Sequence, residues 1–431
     1  MNSHTASGTQ KPGNIVLFRN EVHTSIAPGV HTIGGQGNSL AIETSKGVVI
    51  VDAGPGGKIT VNMIENLRKI TDATVYAIIY SHGHNGYNSG VGVWKEHART
   101  REENPPILIS HERVPLRYAR YLETTGLQNW LNGRQFRREF KPYTADAFPL
   151  PDITFGEHLT LDCGDRKVEL IHSPSETDDS ISVWLPEERF LYAGPAVIRS
   201  IPNIGTPLRT FRDPVRWAQS LEKLYALNPR IVMPEFGAPI IDADEVRDAF
   251  LVPLKALRYL RKEVVDRMNK GMNERAILAS MTYPDEMFGH KFMRSIYGCP
   301  EYIVRDIWRS ENGWWDRNPT TLHPAPPKAA AAAILTALGD PAVLVKHAES
   351  LRDKGKVQLA LHVIDILANA ESDHPQVAEA RKLKAELCVS RAKEMTSVVS
   401  RNILLSSAED LLGLPIGANR ALDPEFEFSW N

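Results

Sequence analysis

The chain has 431 residues, with 50 Lys and Arg, 52 Asp and Glu, and a formal net charge of −2 at pH 7. This balance gives no electrostatic reason to expect a nucleic-acid partner. A hydrophobic fraction of 42% with 24% charged residues excludes a disordered or fibrous chain. The three cysteines lie far apart without a CxxC pair, so neither a disulfide framework nor a thiolate zinc site is expected.

The N-terminal stretch is polar, without a basic segment followed by an apolar one, and no run in the chain approaches 18 apolar residues. Such a sequence favours a cytoplasmic protein with no secretion signal and no membrane span. Its length indicates more than one domain.

Taken in chain order, the sequence changes character twice. Residues 1–13 are expected to be disordered, and from 14 to 241 short β-rich apolar runs alternate with amphipathic helical stretches. Because strands pair early, then alternate with helices, then pair again, this region predicts an α+β fold with two sheets covered by helices. From 242 the pattern is helical, and a proline-punctuated linker ending at 328 precedes a last helical region, 329–431.

The last region reads as helical hairpins that resemble a tetratricopeptide unit. One such unit cannot bury its apolar face alone, so 329–431 is expected to pack on a partner chain or on the preceding domain.

Two histidines end the apolar run "TVYAIIYSHGH". His82 and His84 follow a predicted strand over 75–80, and residues i and i+2 of an extended chain share a face, so both imidazoles can bind one ion. A histidine pair of this kind is also compatible with two hydrogen-bonded side chains that hold no metal.

The sequence blocks before and after this histidine pair resemble those of a known family. Upstream, "GVVIVDAGPGG" places Asp52 and a glycine-rich turn after a strand, and downstream come "VELIHSPSETDD", "YAGPAV" and "IVMPEFGAPI". This order of blocks resembles the metallo-β-lactamase superfamily, which implies an αββα sandwich over 14–241. The helical part, including "YGCPEYIVRDIWRSENGWWDRNPTTLHPAPP", is similar to the dimerisation domain of alkyl sulfatases, a branch of that superfamily. The resemblance therefore implies an all-α dimerisation region over 242–328 and 329–431, and a homodimer.

In that branch the third ligand of the first metal is a glutamate in a context like "GETDD". The corresponding "SETDD" offers Glu176, so the resemblance implies that His82, His84 and Glu176 hold one divalent metal. Two imidazoles and a carboxylate suit zinc, and they also suit iron or manganese.

The second metal site of the superfamily is not preserved. Gly86 and Tyr87 stand at the Asp and His of its HxHxDH motif, Pro195 at the bridging acid, and Glu235 at the final histidine. Of these four, Glu235 alone keeps a side chain suited to coordination, which predicts a mononuclear centre.

One metal is sufficient for hydrolysis, because the ion lowers the pKa of its bound water and polarises the scissile group. The predicted activity is hydrolysis of an ester-like or sulfate-ester small molecule, including anionic ones. In this hypothesis Glu235 is a catalytic base or a fourth ligand, and Tyr87 is a catalytic hydrogen-bond donor. If the two residues are only structural, the ring of Tyr87 fills the vacated site and the carboxylate of Glu235 pairs with an arginine.

Two other functions stay open at this stage. Two histidines and a carboxylate also serve non-haem Fe(II) oxygenases, and a homologue that only binds its ligand would keep the same fold.

Further residues are candidates for supporting roles around the centre. Each has a structural alternative, such as strand-edge capping for the two aspartates or a core position for a histidine. The candidate partners of metal ligands or of substrate are Asp178, Asp179, His172, His111, Asn203 and Arg209.

Overall fold

The computed structural model describes residues 26–370 and 375–418. The stretch predicted to be disordered, 1–13, lies outside the described residues. The described chain forms two compact units, a larger one from 26–131 and 140–322, and a smaller one from 132–139, 323–370 and 375–418.

The first sheet of the larger unit has six strands in sequential order. Its first three strands are antiparallel neighbours, and the next three run parallel. The strands are β1 Val30–Gly34, β2 Ser39–Thr44, β3 Gly47–Val51, β4 Val75–Ile79, β5 Ile107–His111 and β6 Ile153–Phe155.

The second sheet has five strands in the order β11-β10-β9-β8-β7, with only β10 and β11 parallel. The strands are β7 His158–Asp162, β8 Lys167–His172, β9 Ile181–Leu185, β10 Phe190–Gly194 and β11 Ile231–Pro234. Every residue of β9 and β10 is buried, whereas the edge strand β7 is exposed at alternate positions. Continuous apolar runs therefore mark strands that are covered on both faces.

Helices cover the outer face of each sheet, and the two inner faces share one apolar core. That core joins Leu40 and Val49 of the first sheet to Leu170 and Val183 of the second. The predicted αββα sandwich is thereby confirmed. The helices of the larger unit are α1 Gly57–Arg68, α2 Val91–Thr100, α3 Val114–Glu123, the first part of α4 Thr125–Phe136, α5 Pro214–Ala226, α6 Ala243–Asn269, α7 Glu274–Ser280, α8 Asp285–Phe288, α9 Pro300–Asn312 and α10 Pro319–Leu322.

Helices α6 and α9 belong to the same core as the second sheet. Phe250 and Leu257 of α6 and Ile307 of α9 lie in one buried cluster with Leu191 and Val232. The part of the predicted dimerisation region between 242 and 322 therefore packs on the sandwich.

The smaller unit is entirely helical and includes the end of α4. Its buried Arg137 pairs with Glu409 at 2.8 Å, and Arg134 pairs with Asp410 at 2.9 Å. The remaining helices are α11 Pro327–Leu338, α12 Ala342–Asp353, α13 Val357–Ala368, α14 Pro375–Lys393 and α15 Val398–Leu412. The predicted all-α region after the sandwich is confirmed.

Within 26–370 and 375–418 no single helix is long and apolar enough to cross a membrane, and the pair α11 and α12, bent by 94°, reaches that length and composition only when taken together.

Candidate metal centre

Loops that follow strands of both sheets meet around the histidine pair. Asp52 directly follows β3, and His82 and His84 follow β4, which is the parallel neighbour of β3. The carboxyl ends of parallel strands lie at one edge of a sheet, so these side chains are brought together. Glu176 lies in the loop between β8 and β9, and Glu235 directly follows β11.

A buried hydrogen-bond chain orients His82. Asp52 accepts from the Ser81 backbone N–H at 2.8 Å, from the Ser81 hydroxyl at 2.6 Å and from Asn88 at 3.0 Å. The Ser81 Oγ lies 2.9 Å from Nδ1 of His82. Since the single hydroxyl hydrogen of Ser81 goes to the carboxylate, Ser81 Oγ accepts from Nδ1–H of His82. This assignment leaves Nε2 of His82 as the unprotonated nitrogen.

Nε2 of His82 is suited to a metal. It is buried and has no hydrogen-bond partner within the described part of the chain. Buried polar atoms are normally satisfied, and metal-ligating histidines usually bond the second ring nitrogen to a neighbouring group, as His82 does through Ser81. The donor atom therefore fits a divalent cation.

The second histidine lies beside the first. The ring centroids of His82 and His84 are 4.7 Å apart in an edge-on arrangement. Burial lowers the pKa of His82 to about 4. Burial and the neighbouring His82 also lower the pKa of His84 well below its usual value. Both rings are consequently neutral at pH 7, which is the form that binds metals.

Tyr87 and Glu235 form a buried pair next to His82. The Tyr87 hydroxyl donates to Oε1 of Glu235, and the Tyr87 ring lies 4.2 Å from the His82 ring. Burial, followed by the charge of Glu176, raises the pKa of Glu235 well above its usual value. Asn38 fixes the loop, because its backbone N–H donates to the carbonyl of Glu235 at 2.7 Å. The carboxylate of Glu235 thus accepts a hydrogen bond from a tyrosine, whereas the structural alternative predicted a salt bridge with an arginine.

Glu176 is held by two neighbours. Its Oε1 accepts from Asn203 at 2.7 Å and from Arg212 at 3.0 Å. The candidate Asn203 therefore contacts the predicted ligand Glu176. Arg212 was not a candidate from sequence, and its place before the N-cap Asp213 of α5 gave no signal of such a role.

The two aspartates after Glu176 bind arginines. Asp178 pairs with Arg113 and Arg117, and Asp179 pairs with Arg117 at 2.5 Å. Burial acts to raise the pKa of Asp179, but the charge of Arg117 and the hydrogen bonds from Thr177 and Arg117 together hold that pKa below its usual value. A Cβ atom at Gly83 would lie 2.7 Å from Oδ2 of Asp179 and 2.9 Å from Cδ of Arg117. The sequence makes the two aspartates candidates for orienting a ligand histidine, and in the structure Asp179 and Arg117 pack against Gly83, the residue between the two histidines.

The other two histidine candidates stack on each other. The rings of His111 and His172 are 3.9 Å apart, Nδ1 of His111 accepts from the Arg113 backbone N–H at 3.2 Å, and His172 bonds the Asp178 carbonyl at 2.9 Å. For His111 these contacts match the structural alternative of a core histidine bonded to backbone, whereas His172 is only partly buried.

The remaining candidate is Arg209. Arg209 is partly buried, and its positive charge contributes to the lowered pKa of His84. Across 26–370 and 375–418, no group of three or more His, Cys, Asp or Glu side chains is arranged as a ready metal site. The set of His82, His84 and Glu176 stays a prediction.

Comparisons with known proteins agree with this fold. Residues 32–234 match the model of the metallo-beta-lactamase superfamily, and residues 273–413 match that of alkyl sulfatase dimerisation. A linear primary-alkylsulfatase from a Pseudomonas species is 26% identical over 86% of this chain and 73% of its own length. An (R)-specific secondary-alkylsulfatase, also from Pseudomonas, is 26% identical over 59% of this chain and 40% of its own length.

Among solved structures, a stereoselective inverting sec-alkylsulfatase from Pseudomonas superposes with a TM-score of 0.77 at 18% identity. The match covers 91% of this chain and 66% of that one. At this identity the likeness establishes the fold.

Proposed function

Because residues 32–234 belong to the metallo-β-lactamase superfamily and residues 273–413 to the alkyl sulfatase dimerisation family, we propose that the protein is a metal-dependent hydrolase of sulfate esters. The observation that carries the proposal is Nε2 of His82, which is buried and has no hydrogen-bond partner among the described residues, at the end of the hydrogen-bond chain from Asp52 through Ser81. A preformed donor of this kind is expected where a cation binds.

His82, His84 and Glu176 are the proposed residues around the ion, with zinc as the first choice and iron or manganese as alternatives. A bound divalent metal supplies an activated water and polarises the ester. The chain itself supplies orientation: Asp52 and Ser81 hold the His82 ring, and Arg212 with Asn203 holds Glu176.

A sulfate monoester is the substrate class best matched to the charges nearby. Arg209 and Arg212 both lower the pKa of His84 through their positive charge, so an anionic head group near His84 would be attracted. Two relatives that cover 86% and 59% of this chain are named as alkylsulfatases, which supports an alkyl ester of sulfate.

Three esters of one linear alcohol test this function: the sulfate, the phosphate and a carboxylate ester, each incubated with the purified full chain. We expect release of inorganic sulfate from the first, its loss after treatment with a chelator, and its recovery when zinc is returned. Sulfate release that the chelator does not affect would contradict metal dependence. Turnover of the carboxylate ester alone would contradict the substrate class, and oxygen uptake without ester cleavage would favour an oxygenase.

We also propose a homodimer, on the basis of the match to the alkyl sulfatase dimerisation model. Light scattering coupled to gel filtration should give about twice the chain mass of 48.1 kDa. A single species at the chain mass across micromolar concentrations would contradict the dimer.

A further inference from the structure

Two buried polar atoms on neighbouring side chains have no hydrogen-bond partner in the described part of the chain. They are Nε2 of His82 and Oε2 of Glu235, whose residues are 0% and 1% exposed. Buried nitrogen and oxygen atoms in folded proteins are almost always bonded to protein or to an ordered group. Two such atoms on adjacent side chains therefore indicate a shared partner.

The distance between the side chains fits an ion better than a direct bond. Nε2 of His82 and Oε1 of Glu235 are 4.0 Å apart. A hydrogen bond needs about 2.7–3.2 Å, whereas a nitrogen and an oxygen bound to one tetrahedral zinc ion lie about 3.3–3.5 Å apart. The measured oxygen, Oε1, is held by Tyr87, and the unpartnered Oε2 belongs to the same carboxylate, so one cation can contact both side chains after small movements.

The two glutamates of the centre differ in how their oxygens are engaged. Oε1 of Glu176 already accepts from Arg212 and Asn203, so part of its charge is balanced by a guanidinium group. Glu235 receives the hydroxyl of Tyr87 on Oε1, while its Oε2 stays unpartnered among the described residues. A buried carboxylate normally needs a cationic partner, and a metal ion beside His82 would provide it.

We propose that Glu235 is a metal ligand that acts together with His82, and that Tyr87 is a positioning residue that holds Oε1 and leaves Oε2 for the ion. The inference rests on the proposed function in one respect, that the centre holds a divalent metal. It assigns to this chain a ligand at the position where the superfamily pattern has a histidine, while Gly86 and Pro195 offer no donor side chain at two other positions of the second site.

Zinc affinity measured by competition with a chromophoric chelator tests the assignment on the full chain, without substrate. Glu235→Gln keeps the shape and the Tyr87 contact but removes the anionic ligand, and we expect the affinity to fall by at least 100-fold. Glu235→His restores an uncharged donor and should bind zinc within about tenfold of the native protein. Tyr87→Phe should weaken binding about tenfold, as is typical when the partner that orients a ligand is lost.

Two results would overturn the ligand role. One is an unchanged zinc affinity in Glu235→Gln, and the other is equal loss in the Gln and His variants while both melt like the native protein. If Glu235→Gln does not fold, Glu235→Ala takes its place beside Glu235→His. A strongly lowered affinity in a folded Ala variant with near-native affinity in the His variant supports a ligand at 235, and native affinity in the Ala variant contradicts it. Because no substrate is present, failure of sulfate-ester hydrolysis would refute the proposed function without affecting this result.

Discussion

Replacing Asp52 by Asn is expected to leave the protein folded and to lower its metal affinity by about 10–100-fold, the usual cost of disturbing a group that orients a ligand. In the native protein the Ser81 hydroxyl donates to the Asp52 carboxylate, whereas in Asp52→Asn the new amide N–H can donate to Ser81 Oγ. Ser81 would then donate its hydrogen to Nδ1 of His82. The His82 proton would move to Nε2, the nitrogen that must be free to bind a metal.

Nitrogen chemical shifts of the His82 ring, measured without metal, report this change directly. The native protein should show Nδ1 protonated and the variant should show Nε2 protonated. Asp242→Asn is the matched control, because Asp242 caps α6 by accepting from Glu245 and asparagine caps a helix equally well. A variant at 52 with native ring shifts and native zinc affinity would show that the chain from Asp52 through Ser81 does not orient His82.

Gly83→Ala is expected to reduce the free energy of unfolding by about 1–3 kcal/mol, the usual cost of overpacking a buried site. The added methyl group would lie 2.7 Å from Oδ2 of Asp179 and 2.9 Å from Cδ of Arg117. Neither group can withdraw freely, since Asp179 is fully buried and bound to Arg117. Relief of this clash would shift the backbone that carries His82 and His84, which flank the substitution. Metal affinity should therefore fall as well.

Chemical denaturation and chelator competition measure the two effects together. Gly92→Ala is the matched control, because the glycine lies exposed in α2 and a Cβ there would meet nothing within 4 Å. Alanine favours a helix over glycine by about 0.5–1 kcal/mol, so the control should be as stable as the native protein or more so. A Gly83→Ala protein with native stability and affinity would contradict close packing at the histidine pair.

Much of the sandwich follows from local sequence. The runs at 47–51 and 181–185 are apolar at nearly every position, as strands covered on both faces require, and the structure buries all of their residues. The histidine pair could be placed at the end of a strand because "VYAII" stops abruptly before Ser81.

Contacts between distant parts of the chain could not be predicted in the same way. Tyr87 and Glu235 are 148 positions apart, and Arg212 is 36 positions from Glu176. Whether two such side chains meet depends on how loops of the two sheets pack, which periodicity does not encode. For the same reason the arginine partners of Asp178 and Asp179 were missed. Residues 132–139 likewise belong to the smaller unit although the sequence predicts no boundary there.

The central claim is that one divalent metal binds at His82, and elemental analysis of the full chain tests it most directly. The native protein and His82→Ala would be purified anaerobically, without added metal, and analysed side by side. We predict about one zinc, iron or manganese per native chain and its loss from the variant. Equal metal content in both proteins, or two metals in each native chain, would contradict a mononuclear centre built on His82.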